Sequence, residues 1–516
     1  MYPAVTVAQM RDAEASAIAD VGADALMQRA AAGLANVVGR ELRARTGRVY
    51  GARVLVLAGP GNNGGDGLFA GVRLARRGVR VDVCATAEQV HERGWAALLA
   101  AGARTVSLGE IRMRLAVDAE RIRSWLASYD LVIDAILGIG GRPGLRPPLD
   151  SLAAEIVASG TPVVACDLPS GLSADLPFEA KPNHHAARSR SIQNFQDGSC
   201  DFAQDDDSHG SVNPRVGHLP ADVTVTFGER KLCHVVEPAR SACGRVEVVD
   251  IGLGRAPADV LAWEPSDVAA AWPVPGAVAH KYSRGVVAVD TGSQRYPGAA
   301  VLSVLGAVHA GAGLVRFAGP DALAPRVIDA APNVVVGDGR ADARLLGCGW
   351  GERAYGAGVV AAAVASGVPL VVDADALRCL PARLHPDVLL TPHAGELARL
   401  LGCDRAEIER DPLAAVRAAV ERFDATVLLK GATQLVQTPG TPTAVAVPGP
   451  AWTAQAGSGD VLAGMCGALL AAGLRPAQAA LTAASVQALT AAAHPGPVPP
   501  QELAREFAGT VTALVT

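Results

Sequence analysis

Three aspartates stand where predicted strands end in the first half of the chain. Asp66 follows the apolar run Val54 to Leu57 within a glycine-rich stretch, Asp134 ends LVID, and Asp167 ends VVACD. The carboxyl ends of parallel strands meet at one edge of a sheet, where ligands bind. Carboxylates gathered there could act as general acids, general bases or cation ligands. Each aspartate alone could be a turn residue, so it is the convergence of three that favours a site.

The stretch VLVLAGPGNNGGDG, Val54 to Gly67, predicts a strand, a glycine-rich turn and a helix. Glycines let a charged ligand approach the backbone, and the free N–H groups of a helix start attract anions. The stretch matches neither G-x-G-x-x-G nor the phosphate loop that ends in Lys-Ser/Thr, so ordinary dinucleotide or triphosphate binding is not indicated. A tight turn without a ligand stays an alternative. A second glycine-rich loop follows Asp134, with Arg142 and Arg146 placed to meet phosphate.

A fourth aspartate, Asp460, lies in TAQAGSGDVLAG, Thr453 to Gly464. Gly457 and Gly459 allow a tight turn, and a helix is predicted to begin at Ser458. Facing a terminal phosphate, this arrangement would supply an anion hole and a carboxylate able to take a hydroxyl proton. An aspartate in the first helical turn is also commonly just a dipole-stabilising residue, so the motif alone leaves both interpretations open.

The elements that must position these residues alternate between strands and helices in both halves. Apolar strands are predicted at 79–84, 131–134 and 163–167 in the first half, and at 286–290, 368–372, 388–390 and 426–429 in the second. Such alternation predicts an α/β fold with parallel sheets covered by helices on both faces. The last third, from Ser458, is predicted to be mostly helical.

The composition excludes several classes of function. The chain has 516 residues and a formal net charge of −5, with no basic patch that would indicate a nucleic-acid partner. The longest apolar run, Ala299 to Val315, is interrupted by His309, so no membrane span is predicted. Nine cysteines are scattered without a C-x-x-C pair, which indicates reduced thiols in a cytoplasmic protein.

Two segments interrupt the α/β pattern. Residues 176–220 are polar and lack an apolar period, so we expect a disordered surface insertion. Residues 253–279 are rich in proline and alanine and are expected to form a linker between two domains.

The first half resembles a known family in the strings GPGNNGGDG, VIDAILGIGGRPGLR, CDLPSGLSAD and ADVTVTFG. In this order they are similar to the NAD(P)H-hydrate epimerase domain, over about Val5 to Gly252. The resemblance implies a Rossmann-like domain, here 1–252, that interconverts the R and S forms of hydrated NADH and NADPH. The chain departs from the family pattern at the polar insertion, residues 176–220.

The epimerase resemblance also implies roles for individual residues. Asp167 would be the acid/base beside the damaged ring, and a potassium ion would be bound by Asn63, Asp134 and Ser170. Such proton chemistry at a carbon next to the ring nitrogen suits a carboxylate whose pKa partial burial raises. The hydrated nucleotide would be held by Asn62, Asn63, Gly64, Gly65, Asp66, Gly138, Ile139, Gly140, Gly141, Arg142, Pro143, Gly144 and Asp167.

The second half resembles the ribokinase-like superfamily in HKYSRGVVAVDTGSQRYPGAAVL, LLGCGWG, PLVVDADAL, LTPHAGELARL, VLLKGATQLV and AGSGDVLAGM. It is specifically similar to the ADP- or ATP-dependent NAD(P)H-hydrate dehydratase, over about Trp263 to Leu514. The resemblance implies a ribokinase-like α/β domain at 280–516. Two departures from the family pattern are Trp350 within GCGWG and Tyr282 after the lysine.

This resemblance implies a second set of site residues. Asp460 would be the base, and Ala299, Gly349 and His393 would contact the hydrated nucleotide together with it. His393 has the alternative role of a helix cap. The adenine nucleotide would be held by Lys430, Gly431, Ala432, Thr433, Gln434 and Gly459. Magnesium would bridge its phosphates, with Glu396 and Asp373 as candidates for indirect contacts.

Together the two resemblances imply a bifunctional repair enzyme whose partners are hydrated NADH and NADPH with ADP or ATP. ADP is favoured by the resemblance to bacterial members, and a homo-oligomer is expected. Two alternatives remain. One is a kinase of a small pyrimidine, thiazole or sugar, and the other is a first domain that has become a non-catalytic binding module.

Overall fold

The computed structural model describes residues 1–176, 217–254 and 257–516. They form two compact units, Val5–Pro257 and a unit made of Met1–Ala4 with Ala258–Thr516. The predicted insertion at 176–220 lies almost entirely outside the described residues. Within the described parts, every helix is too short or too polar to cross a bilayer.

The strands of the described residues are numbered in chain order. They are β1 Tyr2–Val5, β2 Arg53–Ala58, β3 Arg80–Ala85, β4 Arg104–Thr105, β5 Leu131–Ala135, β6 Val163–Cys166, β7 Val223–Phe227, β8 Arg230–Lys231, β9 Arg245–Val249, β10 Val260–Ala262, β11 Val286–Asp290, β12 Leu314–Phe317, β13 Val335–Val336, β14 Ala343–Leu346, β15 Leu370–Val372, β16 Val388–Leu390, β17 Thr426–Leu429, β18 Leu435–Gln437 and β19 Thr443–Val445.

The helices are numbered in the same way. They are α1 Val7–Val21, α2 Ala23–Thr46, α3 Asn62–Arg76, α4 Glu92–Ala100, α5 Leu108–Val117, α6 Ala119–Leu126, α7 Leu149–Ser159, α8 Ala239–Ala242, α9 Pro265–Ala271, α10 Pro297–His309, α11 Ala324–Ala330, α12 Gly356–Ala365, α13 Ala394–Leu401, α14 Arg405–Arg410, α15 Pro412–Phe423, α16 Ser458–Ala471, α17 Pro476–Ala493, α18 Pro500–Arg505 and α19 Phe507–Val515.

The first unit is built on a parallel sheet in the order β4-β3-β2-β5-β6-β7-β9. From β2 the chain proceeds outward to β3 and β4, then returns to place β5 on the other side of β2. The strand order therefore reverses between β2 and β5, and the loops after these two strands flank a crevice. Such switch points are where open α/β sheets bind ligands.

Both faces of this sheet are buried because successive residues of its strands alternate between two cores. Val54 and Val56 pack with the side of α2 and α3, whereas Leu55 and Leu57 pack with the side of α6 and α7. Burial on both faces explains why the strands are continuously apolar instead of alternating with polar residues.

Helix α3 begins at Asn62, so most of the glycine-rich stretch is helical and not a loop. Its glycines permit close packing: a Cβ on Gly64 would lie 2.0 Å from the Gly59 carbonyl oxygen, and one on Gly67 would lie 2.4 Å from the Ala135 Cβ. These glycines bring the start of α3 down onto the ends of β2 and β5, which places the helix N-terminus at the switch point.

The second unit has a sheet in the order β13-β12-β11-β14-β15-β16-β17-β18-β19-β10-β1. The strands from β13 to β17 are parallel, and the order reverses between β11 and β14. Strands β17, β18 and β19 pair antiparallel. The second switch point thus lies between the loops that follow β11 and β14.

Helices α10 and α16 cross closely in the core of this unit. A Cβ on Gly306 would lie 2.1 Å from the Val461 carbonyl oxygen, and one on Gly464 would lie 2.0 Å from the Ser303 carbonyl oxygen. The absence of side chains at both positions lets the two backbones meet. This contact fixes the N-terminal end of α16, which carries Asp460.

Two features differ from the predicted domain boundaries. Residues Tyr2 to Ala4 pair antiparallel with β10, so the chain start belongs to the second unit and not to the predicted 1–252 domain. The predicted linker 253–279 contains β10 and α9, both in the second unit. The proline-rich composition concealed them because β10 is only three residues long and α9 begins with a proline at its first position.

Candidate active sites

A cavity of about 380 Å³ lies at the first switch point. Its walls come from the start of α3, the loop after β5, the end of β6 and the first helix. The lining residues include Asn62, Asn63, Asp66, Gly138, Ile139, Gly140, Gly141 and Asp167, together with Arg11, Glu14 and Phe227. The cavity therefore holds three carboxyl side chains beside the N-terminus of a helix.

Asp167 occupies a constrained position at the end of β6. Its backbone is left-handed, with φ of 69°, which is uncommon for a residue other than glycine. The side chain accepts a 2.7 Å hydrogen bond from Lys231 Nζ and a 3.1 Å bond from Thr226 Oγ1. His234 Nδ1 accepts from the Lys231 N–H, so its Nε2 carries the proton and donates to the Asp167 carbonyl oxygen at 3.0 Å. Side chain and backbone are thus both held.

The electrostatics of Asp167 differ from the expectation that burial raises its pKa. Burial does favour the neutral acid, but the Lys231 ammonium outweighs it, and the pKa of Asp167 is lowered from its ordinary value. Lys231 is itself only 1% exposed, and its ammonium also donates to Thr226 Oγ1 and the Phe227 carbonyl oxygen. A buried cation in this position compensates a buried carboxylate.

Two other carboxyl groups in the cavity have the opposite tendency. Burial and the negative charge of Asp167 raise the pKa of Asp66 well above its ordinary value, and Glu14 adds to the effect. Burial, followed by the charge of Asp167, also raises the pKa of Glu14. The cavity therefore combines one ionised carboxylate with carboxyl groups that retain protons more readily.

Asp134 and Ser170 form a buried pair beside the cavity. Asp134 Oδ1 accepts from Ser170 Oγ at 2.5 Å, and its Oδ2 accepts from the Ser170 N–H at 2.8 Å. Burial raises the pKa of Asp134 to about 6 despite these bonds. Asn63 lies against the loop after β5, where a Cβ on Gly138 would lie 3.3 Å from Asn63 Oδ1, and its amide nitrogen is buried without a hydrogen-bond partner.

The second unit gathers its candidate residues at the carboxyl ends of β14, β15 and β17. Asp373 follows β15, Lys430 follows β17, and Lys430 Nζ donates to Asp373 Oδ1 at 2.6 Å. Cys348, which follows β14, donates to Asp373 Oδ2 at 3.4 Å. The Cys348 thiol, an Asp373 oxygen and an Asp460 oxygen lie within 4.8 Å of one another.

Asp460 sits in the first turn of α16, whose N-cap Gly457 is left-handed with φ of 91°. Burial, with a contribution from the negative charge of Asp373, raises the pKa of Asp460 to about 7, whereas Lys430 opposes the shift. A Cβ on Gly459 would lie 3.3 Å from Lys430 Nζ, so the helix start and the lysine are neighbours. A carboxyl group with this pKa, among helix N–H groups and a cation, suits proton acceptance next to a bound anion.

His393 is the N-cap of α13. Its Nδ1 accepts from the backbone N–H groups of Gly395 and Glu396 at 3.0 and 3.3 Å, and Glu396 Oε2 accepts in return from the His393 N–H. The structure therefore shows the capping role that the sequence left as an alternative. The ring is also half-exposed beside Lys430, since residues 393 and 430 form an isolated parallel bridge.

Ala299 and Gly349 are in contact across the second switch point. A Cβ on Gly349 would lie 2.5 Å from the Ala299 Cβ, and its φ of 63° also favours glycine. Trp350, the departure from the family pattern, is buried and donates from Nε1 to the Asp290 carbonyl oxygen at 2.8 Å. Arg353 packs over the indole and pairs with the Asp290 side chain at 2.6 Å. The tryptophan is therefore part of the wall behind Gly349.

Comparisons with known proteins assign both units. The family model described as YjeF-related protein N-terminus matches residues 23–233, and that described as NAD(P)H-hydrate dehydratase matches residues 287–506. A bifunctional NAD(P)H-hydrate repair enzyme from Mycobacterium leprae is 41% identical over 509 residues, covering 95% of this chain and 94% of the relative. The chain belongs to the bifunctional NAD(P)H-hydrate repair enzymes.

Further relatives have the same description. The enzyme so named from Mycobacterium tuberculosis strain H37Rv is 40% identical over 489 residues, with 92% of this chain and 90% of the relative covered. Among solved structures, an ADP/ATP-dependent NAD(P)H-hydrate dehydratase from Bacillus subtilis, co-crystallised with ATP and Mg²⁺, aligns at 24% identity and a TM-score of 0.47, covering 49% of this chain and 99% of that one.

The family membership and the α/β fold class predicted from the motifs are confirmed, and the small-molecule kinase alternative is not favoured. At the cavity of the first unit, the structure brings together most of the residues that the sequence predicted there. Gly64, Gly65 and Gly144 lie outside the cavity lining, as do Arg142 and Pro143, which are exposed. Gly144 instead donates to the Gly171 carbonyl oxygen and shapes a turn. In the other unit, Gly431 and Ala432 are exposed.

Among the residues of the first site that the sequence interpretation missed are Arg11, Glu14, Lys231 and Phe227. A signal for Lys231 was available, because it follows the strand of the quoted motif ADVTVTFG and a buried carboxylate requires a compensating cation. Arg11 gave no comparable signal. It lies on α1, and its position near Gly140 depends on how that helix packs.

Proposed function

We propose that this chain repairs hydrated NAD(P)H in two steps. The first unit epimerises the R and S forms, and the second dehydrates the S form to NADH or NADPH at the expense of ADP or ATP. The observation that carries the proposal is that each unit presents its own set of carboxylates at the switch point of its own sheet. Relatives that span both units and are named bifunctional NAD(P)H-hydrate repair enzymes support it.

In the first unit, the proposed reaction exchanges a hydroxyl group on the ring carbon next to the nitrogen. The glycine-rich start of α3 and the loop at 138–141 would hold the nucleotide, and Asp167 would transfer the proton. Arg11 lines the cavity, with Nη2 3.9 Å from the position of a Cβ on Gly140, and it is a better candidate for a phosphate contact than Arg142, which is not among the lining residues.

A potassium ion fits the residues next to this cavity. Asp134, Ser170 and Asn63 supply a carboxylate, a hydroxyl and an amide, which are hard oxygen donors. The buried Asn63 amide has an unpaired nitrogen, and turning the amide would present its oxygen at that position instead. Bound there, a potassium ion would supply positive charge next to the nucleotide. Asp134 and Ser170 would keep the loop after β5 in place.

In the second unit, the hydroxyl of the S hydrate would attack the terminal phosphate, and the phosphate ester would then eliminate to restore the ring. Asp460 would accept the hydroxyl proton, and the N–H groups at the start of α16 would bind the transferred phosphate. Lys430 to Gln434 and Gly459 would hold the adenine nucleotide. Ala299, Gly349 and His393 would contact the hydrated nucleotide.

Magnesium fits this site through carboxylate oxygens. Asp373 and Glu396 flank Lys430, and their charges act on it. Protein sites commonly hold this ion with one or two carboxylates and the substrate phosphates. It would neutralise phosphate charge during transfer. Asp373 and Glu396 would hold the ion through indirect contacts, and Lys430 Nζ donates to Asp373 Oδ1 at 2.6 Å.

An assay on the full chain tests both activities. Purified protein receives mixed R and S hydrated NADH with ADP and Mg²⁺, and recovery of reduced-nicotinamide absorbance is followed. Complete recovery is expected. Recovery that stops when the S form is used up would reject the epimerase, and no recovery with either ADP or ATP would reject the dehydratase.

The proposal also includes a cytoplasmic location and a homo-oligomer. The eight described cysteines are free, in keeping with that location.

A further inference from the structure

We propose that Lys231 is a positioning residue that makes Asp167 the proton acceptor of the epimerase cavity and leaves Asp66 as the proton donor. This inference rests on the proposed epimerase function and divides its acid and base roles between two carboxyl groups. Both Asp66 and Asp167 line the cavity, whereas Lys231 lies behind Asp167 and is not among the lining residues.

The contacts of Lys231 account for the ionised state of Asp167. Its ammonium has three acceptors, namely Asp167 Oδ1, Thr226 Oγ1 and the Phe227 carbonyl oxygen, at 2.7, 2.8 and 3.1 Å. Three acceptors match the three protons of an ammonium group, so the cation is fully bonded although it is 1% exposed. The negative form of Asp167 is therefore favoured.

Asp66 receives no such compensation. It is 9% exposed in the first turns of α3, and the charged groups that act on it most after burial are the carboxyl groups of Asp167 and Glu14. The titratable and charged groups that face Asp167 are Lys231 with His234 from one segment, Asp66 from α3, and Glu14 with Arg11 from α1. Of the carboxyl groups of Asp66, Glu14 and Asp167, only that of Asp167 has a buried lysine as a direct partner. Asp167 is therefore the residue on which a negative charge is most stable.

The step that follows is balanced in protons and electrons. Asp66 gives its proton to the hydroxyl oxygen as the C–O bond breaks, and the bonding electron pair leaves with the oxygen as water. The lone pair of the ring nitrogen forms a C=N bond. Water then adds to the opposite face, the C=N electron pair returns to nitrogen, and Asp167 takes the proton released. Exchange through solvent returns a proton from Asp167 to Asp66.

The segment from Lys231 to His234 also fixes where the acceptor points. His234 Nε2 donates to the Asp167 carbonyl oxygen, and Lys231 holds the carboxylate of the same residue. Together they hold a left-handed backbone that a non-glycine residue adopts rarely. Loss of Lys231 should therefore lower kcat more than it raises KM.

The test measures epimerisation by the full chain as a function of pH. Lys231→Met should move the acidic limb of the kcat/KM profile to higher pH by about one pH unit or more. Lys231→Arg keeps the positive charge, so its acidic limb should lie close to that of the unsubstituted enzyme. Asp66→Asn should lower kcat by about 10²–10⁴-fold at every pH. Lys281→Met, at an exposed lysine of the other unit, is the matched control. Dehydration of pure S hydrate by each variant reports whether the chain is folded.

The outcomes separate the inference from the proposed function. An unchanged acidic limb in Lys231→Met, or full activity in Asp66→Asn, would overturn the division of roles even if Asp167→Asn is inactive. Full epimerisation by Asp167→Asn would reject the proposed function of this cavity itself. If Lys231→Met loses dehydration as well, Lys231→Arg and Asp66→Asn still decide the question through the same pH profile.

Discussion

Lys430 and Asp373 form an ion pair at the ends of β17 and β15, with 2.6 Å between Nζ and Oδ1. The first unit contains a counterpart, since Lys231 Nζ lies 2.7 Å from Asp167 Oδ1. In each unit a carboxylate at a strand end is buried beside a lysine from a later part of the chain. A buried carboxylate without such a partner would be protonated or destabilising. Each lysine therefore places a compensating positive charge directly beside the carboxylate at the strand end.

Dehydration should depend on the ionisation of Asp460. Its pKa is raised to about 7, and a proton acceptor must be ionised, so the rate should rise as pH increases through about 7. Asp460→Asn should abolish ADP-dependent recovery of NADH from the S hydrate and leave R/S exchange intact. Asp404→Asn, at an exposed helix cap, serves as the control. Retained dehydration in Asp460→Asn would refute the role of Asp460.

Lys430→Met should shift the same dehydration profile to higher pH. Lys430 lowers the pKa of Asp460, so removing its charge raises that pKa further and reduces the ionised fraction at neutral pH. The KM for ADP should also increase, because Gly459 at the helix start adjoins the lysine. Steady-state rates between pH 6 and 9 measure both effects. A profile identical to that of the unsubstituted enzyme would show that Lys430 does not control Asp460.

Potassium dependence should rely on Ser170. Ser170→Ala removes one proposed potassium ligand and the 2.5 Å bond to Asp134, so the apparent affinity for the K⁺ that stimulates epimerisation should fall at least tenfold. A titration with KCl at constant ionic strength, with LiCl as the balancing salt, measures this. Ser151→Ala, which removes an exposed serine bonded to Asp150, is the matched control. Equal potassium responses in both variants would argue against the site.

The sequence predicted the positions of three candidate aspartates well, because the patterns that mark them are local. Asp66, Asp134 and Asp460 each follow a recognisable apolar or glycine-rich pattern, and the structure places each near a switch point. Lys231 and Arg11 depend on packing between distant segments, which periodicity does not encode. For this reason the expectation that burial raises the pKa of Asp167 was wrong in direction. The shift depends on Lys231, which lies 64 positions away in the chain.

Local patterns also misplaced boundaries. The glycines of NNGGDG suggested a loop because glycine disfavours helices, yet they are helical where tertiary contact leaves no space for a Cβ. Strand β10 escaped prediction because it is three residues long and gains its stability from pairing with β1 and β19. Short elements of this kind are defined by their partners and not by their own sequence.

Two glycine-to-alanine substitutions in the second unit should have opposite effects on stability. A Cβ on Gly464 would lie 2.0 Å from the Ser303 backbone oxygen, so Gly464→Ala should force α10 and α16 apart and lower the free energy of unfolding by about 1–3 kcal/mol. Gly358 is in the exposed part of α12 with open space around it, so Gly358→Ala should raise that free energy by about 0.5–1 kcal/mol. The urea midpoint for loss of dehydratase activity measures both. Since α16 carries Asp460, Gly464→Ala should also reduce kcat before unfolding begins, and an unchanged kcat would show that the helix crossing does not set the position of the base.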